Sequence, residues 1–120
     1  MTALYSPLRG TWFAGEERPV SFLIKAADGK TPQALTGFTL QFELFDNIGG
    51  TSVLTIPHAR FVLANSGLPG GVNDKATMTP AKAETENLPS GNYWYNLARI
   101  DAGNTVVLSQ GEWPISNIGL

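Results

Sequence analysis

An all-β sandwich is the fold class this sequence predicts, on three observations. Apolar and polar residues alternate with a period of two through its best-patterned segments, turn-forming residues separate those segments, and no stretch shows the apolar spacing of a long helix. The clearest alternation is Phe38-Thr39-Leu40-Gln41-Phe42-Glu43-Leu44. Successive side chains on a strand point to opposite faces, so Phe38, Leu40, Phe42 and Leu44 share one buried face.

The other elements follow in chain order. Val20 to Lys25 turns Val20, Phe22 and Ile24 inward, and Asp28-Gly29 closes a hairpin after it, because both residues tolerate positive φ. Asn47-Ile48-Gly49-Gly50 ends the Phe38–Leu44 strand. Ser52 to Ile56, Arg60 to Leu63 and Ala76 to Thr79 are weaker strands. Asn92 to Ile100 is rich in aromatic residues, Asp101-Ala102-Gly103-Asn104 turns the chain, and Thr105 to Leu108 is β-prone. This makes about seven strands. Pro80 to Leu88 is built of good helix formers but is too short for a stable helix, so one helical turn near 80–87 crosses between the sheets.

Leu88-Pro89-Ser90-Gly91-Asn92-Tyr93 follows that turn. Leu88, Gly91 and Tyr93 have the spacing of a tyrosine corner, in which a phenol hydroxyl bonds to backbone a few residues upstream. With Tyr93 in that role at the start of the penultimate long strand, the sandwich is read as an immunoglobulin-like antiparallel one. Residues 1–18 form an N-terminal arm and first edge strand, 19–116 the sandwich, and 117–120 a C-terminal tail.

Composition narrows the function. A chain of 120 residues with 42% hydrophobic content holds one sizeable core. Its net charge is −2 and its eight basic residues are scattered, which argues against nucleic-acid binding. No run approaches the roughly 18 apolar residues of a membrane span. The start Met1-Thr2-Ala3-Leu4-Tyr5 lacks the pattern of a secretory signal, so assembly in a cytoplasm is expected. With no cysteine, thiolate catalysis, thiolate metal sites and disulfides are absent together. The charged fraction is 15%, against about 25% in a typical domain, and hints that a partner covers part of the surface.

No residue pattern points to catalysis, a cofactor or a metal. His58 is the single histidine, with no nucleophile motif, phosphate loop or His–Glu metal motif in the chain, and is expected to be structural or solvated. Neither a glycosidase carboxylate pair nor a calcium loop at Asp46 or Asp74 is expected, since the acids sit mostly at turns without ligand spacing. The aromatic residues Trp12, Phe13, Tyr5, Trp94 and Trp113 are the candidate interface. With Tyr93, Tyr95 and Leu97 inward, Trp94 faces outward. A protein–protein contact is the main reading for it, with sugar stacking and plain partial burial beside it. The N-terminal stretch is apolar yet broken by Pro7, Gly10 and Gly15, and is expected to dock on its own domain or on a neighbouring subunit.

The order of motifs resembles the short immunoglobulin-like virion structural proteins of tailed bacteriophages, similar to the N-terminal domain of phage baseplate upper proteins. Arg9-Gly10-Thr11, Asp28-Gly29-Lys30-Thr31-Pro32, Leu35-Thr36-Gly37-Phe38, Glu84-Thr85, Leu88 to Tyr93 and Gln110 to Ile115 carry the resemblance, which spans most of residues 9 to 116. Trp12, Asn96 and the long stretch Val62 to Asp74 depart from the family pattern. The resemblance implies a non-enzymatic building block of the tail, baseplate or neck, located in the virion. It would be repeated in symmetric homo-oligomers and bound to other virion proteins, without nucleic acid, membrane or cofactor. A capsid decoration (cement) protein is the alternative within that class, and a carbohydrate-binding module the alternative outside it.

Overall fold

The computed structural model of the chain describes residues 2–3, 11–103 and 105–117. Two sheets pack face to face. In the first, β1 (Thr2–Ala3), β3 (Val20–Lys25), β7 (Lys75–Met78) and β6 (Val62–Ala64) lie in that order. In the second, the order is β2 (Trp12–Phe13), β9 (Val106–Ser116), β8 (Gly91–Arg99), β4 (Leu40–Phe45) and β5 (Ser52–Pro57). Pairing is antiparallel except for β2, which runs parallel to the end of β9 with Trp12 beside Ile115. This all-β sandwich has the strand arrangement of immunoglobulin-like domains, a four-stranded sheet facing a five-stranded one built on three central strands, β9, β8 and β4, with an edge strand on either side.

The alternation of the sequence sets the packing. Val20, Phe22 and Ile24 of β3 and Leu40, Phe42 and Leu44 of β4 are all buried, with polar or exposed residues between them on β4. Between the sheets Phe42 stacks on Tyr95 at 5.9 Å and meets Trp113 edge-on at 5.2 Å, and Trp12 lies against Trp113 at 5.6 Å. Aromatic pairs at such distances contribute beyond the area they bury.

Several boundaries differ from the sequence reading. Strand β4 starts at Leu40 rather than Phe38, because Gly37 takes φ of 85° and the Phe38 N–H bonds back to Leu35 in a turn. The Phe38 ring instead lies under the Arg99 guanidinium, 3.9 Å from its centroid. The runs at 105–108 and 110–115 are one strand, β9, whose irregularity opposite Leu97 and Ala98 buries both Leu108 and Ser109. The helical turn is α1 (Lys82–Thr85), where Glu84 accepts the Ala81 N–H and a forked ion pair from Arg60. Trp12 and Phe13, within the stretch 1–18 read as an arm and first edge strand, form one of the two edge strands of the second sheet.

Candidate docking surface

The corner is built as its residues suggest. The Tyr93 hydroxyl donates to the Pro89 carbonyl at 2.7 Å, its ring lies inside, and the Gly91 backbone passes beside the ring edge. Leu88 packs partly buried against the core. Asn117 fastens the corner to the end of β9, donating its side-chain amide to the Leu88 and Glu86 carbonyls and its N–H to the Ser90 hydroxyl. Buried Thr85 accepts the Gly15 N–H, so the turn after β2 is tied to the same region.

The candidate interface residues do not form one patch. Trp12 and Trp113 are interior, at 0% and 2% exposure, and so, against expectation, present no surface to a partner. The reason is register: Trp12 turns inward beside Ile115, and Trp113 stands opposite Tyr93 on the core face. Phe13, the outward neighbour of Trp12, is 52% exposed. Tyr5 lies outside the described residues. Trp94 points outward and is half-buried on the sheet surface. A sugar-stacking platform thus loses two of the three tryptophans it would have used.

What remains is the outer face of the second sheet. There Trp94 stands between Phe45 of β4 and Glu112 of β9, and one step along the strand Asn96 stands between Glu43 and Gln110. The strands of this sheet hold only three charged residues, Glu43, Arg99 and Glu112. Arg99 is alternate to this face and pairs with Asp101 at 2.8 Å. Glu43 and Glu112 make no ion pair among the described residues. The Asn96 Oδ1 is buried without a hydrogen-bond partner among the described residues, an arrangement that carries a free-energy cost. Sequence reasoning did not single out Glu43 or Glu112, and it marked Asn96 only as a departure from the family pattern. Their period-two placement around Trp94 was the available signal.

The remaining polar groups serve the fold. Exposed His58 accepts the Leu40 N–H on Nδ1 and so ends the β4–β5 ladder. Burial pushes the Asp74 carboxyl up, but hydrogen bonds from the Ser66 hydroxyl and N–H outweigh it and hold the group below the usual carboxylate range. The side-chain and backbone bonds of Thr31, with that of the Lys30 N–H, bring Asp28 down to about 2, and the Arg99 side chain with the Thr39 N–H does the same for Asp101. Asp46 accepts the Thr51 N–H across its turn. Among the described residues no three His, Asp or Glu side chains converge as metal ligands would, and no helix is long and apolar enough to cross a membrane.

No protein-family model matches the chain, and no curated protein matches it significantly.

Proposed function

We propose that the chain is a non-enzymatic virion building block of a tailed bacteriophage, a module of the tail, baseplate or neck that grips its neighbours. One observation carries the reading. The motifs that resemble the phage family follow one another through turns, a corner and the last strand of a single sandwich. Asp28 caps the turn after β3, Leu35 to Phe38 leads into β4, Leu88 to Tyr93 builds the corner, and Gln110 to Ile115 lies in β9. An exposed Phe13, the outward Trp94 and open strand edges at β5 and β6 suit a module that works by contact.

The test is composition. Particles released from a strain carrying the gene are banded by density and analysed by mass spectrometry, with cross-linking of the intact particles. Stoichiometric amounts of this polypeptide, cross-linked to tail or baseplate proteins, are expected. Cross-links confined to the major capsid protein would replace the tail assignment with capsid decoration. Absence from the particles would overturn both.

A further inference from the structure

We infer that the outer face of the second sheet docks an extended, arginine-bearing segment of a partner protein. The inference deepens the assembly-module reading and rests on it. Charge complementarity identifies the occupant. The face carries two carboxylates, Glu43 and Glu112, with no cation on it among the described residues, and the one arginine in the strands of the sheet is bound to Asp101 next to the opposite face.

The surroundings favour a guanidinium over other cations. Trp94, the best ring type for a cation to lie on, is directly opposite Glu112 in the antiparallel register, so its ring and that carboxylate are near neighbours. A planar guanidinium stacks on indole and offers a fork of donors to a carboxylate at once, which an ammonium does not. Asn96 supplies the independent observation: its Oδ1 is a buried acceptor without a donor, adjacent to Glu43. The terminal torsion of an asparagine is broad, so this amide turns readily to meet a donor laid across the face.

Spacing fixes the segment. Glu43 and Glu112 are two strands and two residues apart, roughly 12 Å from the usual strand spacing and rise. Arginines four residues apart on an extended segment are separated by about 13 Å and project to the same side. One guanidinium then lies over Trp94 against Glu112, and the other reaches Glu43 and Asn96.

The probe is a seven-residue acetylated and amidated peptide with arginines at its second and sixth positions, compared with the same peptide carrying glutamates there. Titrated into the full chain, the arginine peptide is expected to shift the Trp94 indole and Asn96 side-chain amide signals in NMR saturably, and the glutamate peptide is not. Glu43→Gln with Glu112→Gln changes charge alone on a solvent-facing surface and is expected to weaken binding at least tenfold with the fold unchanged. Glu43→Lys with Glu112→Lys is expected to reverse the preference toward the glutamate peptide. The inference is overturned if the arginine peptide gives no shift at millimolar concentration, if both peptides bind equally, or if the shifts map away from Trp94 and Asn96. Particle composition, measured separately, decides the virion reading whatever the peptide does.

Discussion

Replacing Tyr93 by Phe removes one oxygen from the corner and leaves the ring in place. The lost bond runs from the hydroxyl to the Pro89 carbonyl at 2.7 Å, and Pro89 is exposed, so water can take over the vacated acceptor. The cost is therefore the net value of one hydrogen bond, about 1 kcal/mol. For 120 residues, with an unfolding entropy of about 2.1 cal/mol/K per residue, that is a drop of about 4 °C in Tm. Tyr95 gives the contrast. Its hydroxyl shares a 2.7 Å bond with the Ser109 Oγ, and the two residues are 3% and 7% exposed, so Tyr95→Phe leaves the serine hydroxyl buried without a partner. That costs about 1–3 kcal/mol. Urea unfolding followed by tryptophan fluorescence, with thermal scans beside it, ranks the pair. A Tyr93→Phe variant that loses as much as Tyr95→Phe, or gains stability, would refute the argument that access to water sets the cost at the corner.

Three further outcomes follow from the same geometry. Trp113→Ala is expected to cost about 3–5 kcal/mol or to prevent folding, because the ring is buried, whereas Phe13→Ala, on the exposed side of β2, shifts the urea midpoint little. Asp101, held at about 2 by Arg99 and the Thr39 N–H, has a folded value below its ordinary one, so its stabilisation is complete above about pH 4 and lost as pH falls through about 2. Carboxyl carbon shifts should show this titration, moved upward in Arg99→Met. At the alkaline end, burial pushes Tyr95 up, more than its Ser109 bond pulls it down, so the neutral phenol stabilises the fold below about pH 10, and this is lost as pH rises further. Absorbance at alkaline pH should show its phenolate forming above the ordinary phenol range, a titration absent in Tyr95→Phe.

How much of this was legible in the sequence depends on how local each determinant is. The alternation from Leu40 to Leu44 and from Tyr93 to Leu97 is a property of single strands, and it placed Trp94 outward as the structure does. Trp12 was not legible, because its burial follows from two residues pairing parallel with Ile115 and Ser116, a hundred positions away, in a stretch broken by glycines. Trp113 was legible in principle: Gln110 and Glu112 alternate with Gly111 and Trp113, which fixes the indole on the core face. Phe38 failed for a different reason, since the pattern continues one residue pair beyond the point where Gly37 has already turned the backbone.

The low charge also takes on a different meaning once the fold is known. The sheets spend few charges, and the turns hold many of them: Asp28, Asp74, Glu84 and Asp101 each bind backbone or a neighbouring side chain of a loop, as acids at turns do. A shortage of charge across the whole surface is therefore weak support for a hidden partner. The stronger support is local. Glu43 and Glu112 are acids on strands rather than at turns, no described cation answers them, and between them stand an outward indole and a buried amide oxygen without a donor. A sheet face with no role in binding would gain stability from replacing Asn96 by Thr, which removes the orphan acceptor and suits a strand better. Asn96→Thr is accordingly expected to raise stability while weakening the arginine peptide, and a variant that gained stability yet bound as tightly would show that the amide has no part in the contact.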